Sequence, residues 1–186
     1  MTTASLALMA WMAGTAAYAG QTQPKLTVYL LDRANEQYMF CLPAQALARQ
    51  MFAAIGVHLE WETGKLSGES SHPPIIIELV SGKSESFKPG SLGYSLPYEG
   101  SHITVLIDRV AGMHNRDQVL AHVMVHEITH VLQSISRHSE TGVMKERWSA
   151  RDLIGMRRRP LPFTPQDIEL IHSGLEVRAQ LQRPVR

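Results

Sequence analysis

Residues 126–130 read His126-Glu127-Ile128-Thr129-His130 and sit inside an apolar stretch whose spacing is that of an α-helix. On a helix, positions i and i+4 lie one turn apart on the same face, so both imidazoles reach a common point with the intervening carboxylate beside them. That set of groups suits a hydrolytic zinc site. The metal would lower the pKa of its bound water towards neutrality, and Glu127 is placed to take that proton and hand it to a leaving amine. Chance alone gives about 0.03 such strings for a chain with this many histidines and glutamates. The pattern also constrains the fold, because a polar metal-binding face on an otherwise apolar helix needs a core on its remaining sides.

At 186 residues the chain suits one domain with a core of its own, and we read 20–186 as that domain. A formal charge of +1, with both signs interspersed, gives no reason to expect nucleic acid as a partner. The run Arg157-Arg158-Arg159 reads as a solvated loop. Residues 1–19 carry no charged side chain, hold an apolar run from about Ala4 to Ala17, and end on Ala17-Tyr18-Ala19. This resembles a signal peptide cleaved before Gly20, which predicts a secreted or periplasmic protein with no stable membrane association after cleavage. The leader lacks Lys or Arg near its start, so a misplaced start or an uncleaved anchor is the other reading. Cys41 is the single cysteine and has no partner within the chain for a disulfide; it reads as a small core hydrophobe.

Strands are expected at Leu26–Leu31, Val57–Trp61, Ile75–Val80, Leu92–Leu96 and Ile103–Ile107, the fourth at a sheet edge because Pro97 adjoins it. A helix is expected where Ala44, Leu47, Ala48, Met51 and Ile55 repeat at helical spacing before Gly56. A second helix should begin near Asn115, in a capping-box-like relation to Gln118, and run to Leu132. Residues 134–159 read as less regular, and Thr164-Pro165 opens a final helix. The order predicts an α/β (α+β) fold with a mixed sheet, a crossover helix behind it, an active-site helix and a C-terminal helix.

Catalytic zinc usually takes three protein ligands and keeps a fourth position for water. The candidates for the third ligand are His138 and, from the same turn, the carboxylate of Glu140. His122, one turn before His126, reads as a packing residue, since a fourth protein ligand would fill the water position. Trp148 and Phe163 read as core; Tyr94 reads as a plain β-surface tyrosine, with donation to a developing oxyanion as the other reading.

The run His138-Ser139-Glu140-Thr141-Gly142-Val143-Met144 resembles the metzincins, and within them the matrixins, which place a serine after the third histidine and a methionine in a turn beneath the metal. The longer string to Trp148 is similar to predicted secreted bacterial zincins. The resemblance implies a twisted mixed sheet and zinc (Zn2+) held by His126, His130 and His138. It also implies Glu127 as base, Met144 in the turn, and a peptide or protein substrate, most naturally for a metalloendopeptidase. Two features depart from the family. His138 lies eight residues after His130 where the family has six, and Gln133 stands where the family ends the helix with glycine. An unbroken helix would carry His138 about 12 Å along its axis from His130, so the chain must turn between them. A secreted domain with a closed, structural zinc site is the alternative function, and the sequence assigns no oligomeric state.

Overall fold

The computed structural model describes residues 23–33, 39–62, 74–81 and 87–181. The leader expected over 1–19 and the segment 63–73 lie outside them. Five strands are present: β1 (Lys25–Asp32), β2 (His58–Glu62), β3 (Ile75–Val80), β4 (Gly93–Ser95) and β5 (His102–Leu106). They form one sheet in the order β2-β1-β3-β5-β4. All neighbours are parallel except β4, which runs antiparallel to β5 along the edge. Helix α1 (Cys41–Ala53) makes the crossover that two parallel strands require between β1 and β2. It ends just before Gly56, whose φ of +77° reverses the chain into β2.

The sheet's inner rows follow from its register. Val28 aligns with Ile75, Leu30 with Ile77, Ile77 with Ile103 and Leu79 with Val105. Nearly all of these are apolar and buried, as strands covered by helices must be. Helix α3 (Arg116–Gln133) packs against α1 and against β4 and β5. Every residue of α3 from Val119 to Gln133 is buried, with α5 (Pro165–Gln180) covering a further side. The α3–α5 crossing is so close that a Cβ on Gly174 would overlap the Leu132 carbonyl oxygen. The α5 side chain His172 also reaches α1's end, its Nε2–H donating to the Ile55 carbonyl at 2.8 Å.

Three local expectations are corrected. Ile107, expected to close a strand, instead opens α2 (Ile107–Ala111), directly after β5. Asn115 caps nothing at the start of α3: its Nδ2 donates to the Leu153 carbonyl, and Gln118 turns to Asp117. Long-range satisfaction of the amide has replaced the local cap. Residues expected to be irregular include α4 (Ala150–Met156), which Ser149 and Asp152 begin with a reciprocal capping box. Thr164 and Pro165 start α5 as the sequence predicts, and the structure adds Asp167, which closes a capping box with Thr164.

Candidate metal centre

His126 and His130 occupy consecutive turns of α3, and their Nε2 atoms lie 3.0 Å apart. His138 arrives from the loop after α3 and brings its Nε2 to 3.3 Å from that of His130. Tetrahedral zinc with Zn–N bonds of about 2.0–2.1 Å separates its ligand nitrogens by about 3.3 Å, so the three fit such an ion. The protonation pattern agrees. The Nδ1 atoms of His126 and His130 face the carbonyl oxygens of Val143 and Ile135 at 2.9 and 3.1 Å. A carbonyl only accepts, so each Nδ1 carries the hydrogen and each neutral ring turns an Nε2 lone pair towards the common point. Converging lone pairs repel unless a cation lies between them. Burial holds both rings neutral, pushing each pKa down to about 4.

The turn that lets His138 reach this point ends α3. Ser134 takes the left-handed conformation, with φ +53° and ψ +27°, as the single non-glycine with positive φ among the described residues. It supplies what the family draws from glycine, one position after Gln133. Beyond His138 the chain folds back, Ser139 N–H donating to the Met144 carbonyl at 2.8 Å. Gly142, with φ +76°, has no room for a Cβ against the Pro162 carbonyl oxygen. The same turn brings the Val143 carbonyl to His126 and also to Trp148, whose Nε1 donates to it at 3.2 Å. Trp148 stands edge-on to His126, with ring centroids 5.9 Å apart. Val143 and Met144 are fully buried.

Glu127 is buried beside the histidines and accepts a hydrogen bond from Ser95 Oγ at 2.6 Å on its Oε2. Burial pushes its carboxyl pKa up, and the Ser95 bond opposes that rise. Ser95 and Gly93 align with Ile103 and Val105 and so share the inner face of the sheet. A Cβ on Gly93 would stand 2.9 Å from Val123 Cγ1 and 3.0 Å from Glu127 Cγ, so glycine is what allows β4 to approach the helix. Tyr94, between them, points to the outer face and is 46% exposed, with Phe87 at its edge. It is therefore not placed to donate to an oxyanion, because strand alternation turns it away from Glu127.

Among the described residues, the metal-competent cluster contains His126, His130 and His138 and no other histidine, cysteine or carboxylate. Glu140, the rival third ligand, is outside it. His122 is fully engaged elsewhere: its Nδ1–H donates to the Gln118 carbonyl at 2.6 Å and its Nε2 accepts from Leu161 N–H at 2.9 Å. His126 and His130 are buried while His138 is exposed, so the cluster is reachable from solvent. Cys41 is half-buried on the core, and burial, aided by Asp32, raises its thiol to about 11. Sequence reasoning passed over Ser95 and Gly93, which a short edge strand gives no reason to single out. It also read Trp148 only as core.

No family model and no characterised protein sequence matches the chain. Among solved structures it is similar to archaemetzincin from Methanopyrus kandleri, over 82% of this chain and 97% of that one, with a TM-score of 0.55 at 14% identity. A likeness at that identity speaks for architecture, and it agrees with the mixed sheet and helices described above: the chain has the metzincin-like fold, with a histidine triad that fits zinc.

Proposed function

We propose that this chain is a zinc-dependent peptidase in which His126, His130 and His138 hold the metal and Glu127 is the base. The observation that carries the reading is the convergence of three imidazole Nε2 atoms next to a buried carboxylate on the same helix. When bound, zinc supplies a Lewis acid that polarises a carbonyl and eases the ionisation of water. The protein supplies the rest. Val143 and Ile135 carbonyls fix the orientation of two imidazoles. Ser95 holds one oxygen of Glu127 in place, and the raised pKa of this carboxylate suits it to take a proton from the attacking water and return it to the leaving amine.

The substrate in this reading is a peptide or protein, and the cut is internal. Strand β4 lies at the sheet edge next to Glu127, so an extended chain can add to it through backbone hydrogen bonds. The matrixin-like serine and turn methionine, and the export suggested by the uncharged leader, belong to the same proposal.

Zinc content of purified wild type beside His138→Ala, together with peptide hydrolysis by wild type and Glu127→Gln, tests it. About one zinc per wild-type chain, a large loss in His138→Ala, and zinc-loaded but inactive Glu127→Gln are expected. Full zinc in wild type with no hydrolysis of any library peptide would instead mark a structural site.

A further inference from the structure

We propose that Asp167, a residue on the C-terminal helix, is the positioning residue that aims the third histidine at the metal. The inference rests on the zinc reading above and names the part of the fold on which His138 depends. The Asp167 side chain is 1% exposed, and its two oxygens serve different elements. Oδ2 accepts from Thr164 N–H at 3.0 Å and from Thr164 Oγ at 2.6 Å, which closes the capping box of α5. Oδ1 accepts from Ser139 Oγ at 2.7 Å and from Arg137 Nη2 at 3.2 Å. Arg137 Nη1 also donates to Ser139 Oγ at 2.9 Å, closing a triangle.

Ser139 and Arg137 are the two neighbours of His138. Both turn towards α5, so the residue between them faces the opposite way, where His130 Nε2 receives it at 3.3 Å. The spacer explains the need for such an anchor. Residues 131–133 finish α3, and 134–137 form a turn with no regular structure, tied back to α3 where the Ile135 carbonyl accepts from His130 Nδ1–H. The Ile135 bond holds the middle of the turn, and the buried carboxylate shared with a helix cap holds its far end, gripping the residues on either side of His138. Gln133 Nε2, at the end of α3, meets the Asp167 backbone carbonyl at 3.4 Å, so the helix carrying two histidines and the anchor of the third are joined directly.

The two oxygens give the test its control. Ser139→Ala removes a bond to Oδ1, Ser139→Thr keeps the hydroxyl, and Thr164→Ala removes the hydroxyl bond to Oδ2, leaves the backbone one, and weakens the helix cap. Zinc affinity of each full-length protein is measured by competition with a chromophoric chelator, and thermal unfolding is followed by circular dichroism. Ser139→Ala should weaken zinc binding about 10-fold, with Ser139→Thr and Thr164→Ala within about 2-fold of wild type, although Thr164→Ala melts earlier. Asp167→Asn should lose affinity at least as much as Ser139→Ala if it folds. Equal affinities for Ser139→Ala and Thr164→Ala would overturn the positioning role and leave the zinc reading intact. A wild type that takes up no zinc would overturn both.

Discussion

The two halves of the histidine cluster are built on different physics. His126 and His130 meet because a helix repeats every 3.6 residues, and the helix persists because it is buried on all sides. His138 joins them through a loop that holds its shape by side-chain and backbone bonds to distant residues: Ser139 to Asp167, Val143 to Pro162, and Leu161 to His122. The first half is a property of local sequence and the second of the completed fold. Damage to the helix should therefore cost the protein, whereas damage to the loop should cost the site.

The largest effect expected is on the helical half. Gly174→Ala drives a methyl into the Leu132 carbonyl and must separate α5 from α3. A loss of about 4 kcal/mol or more is expected, a large part of the roughly 5–15 kcal/mol by which domains are stable, so the urea unfolding midpoint should fall sharply. Gly142→Ala strikes the loop half, where both the positive φ and the Pro162 carbonyl oppose a side chain. It should cost about 3 kcal/mol and depress zinc uptake, with far-ultraviolet circular dichroism still showing the helices. If both variants behave alike, the division between helix and loop is wrong.

His122 bridges the halves, and pH sharpens the comparison there. Burial lowers its pKa in the folded protein, and the Gln118 bond only partly opposes this. The unfolded chain therefore binds a proton that the folded one refuses. The stabilisation is fully present above the unfolded value near 6.5 and drains away as pH falls below it towards the folded pKa. A protonated His122 would also lose its bond from Leu161 N–H. In the metal-free protein, His122→Gln should flatten the fall of stability between pH 6.5 and 5 by at most about 1.4 kcal/mol per pH unit. An unchanged slope would assign the proton elsewhere. The smallest effect belongs to the junction: Ser134→Gly should raise unfolding stability by about 0.5–1 kcal/mol, since glycine takes the left-handed turn without strain.

What could be read from sequence follows the same division. The strands, α1 and α3 announced themselves through β-former content and periodicity, α5 through its Thr164-Pro165 start, and His126, Glu127 and His130 came with α3. The turn to His138 was required by geometry, but neither its pivot at Ser134 nor its anchor at Asp167 leaves a mark on hydrophobic pattern. The short helices were harder. Ile107 passes from strand to helix with no turn residue between, and α4 is only seven residues long. The spacing of Ser149 and Asp152 did carry a capping signal, as did that of Thr164 and Asp167. Ser95 meets Glu127 from 32 residues away in sequence, a proximity created by β4 pairing with β5 and by the missing side chain at Gly93.

The bonds from His126 and His130 to main-chain oxygens fix more than ring orientation. Near neutral pH both imidazoles are already without an extra proton, each with its remaining hydrogen committed to a carbonyl. These two side chains thus have nothing to expel when a cation arrives, and the ion's capture spends none of its affinity on displacing acid from them.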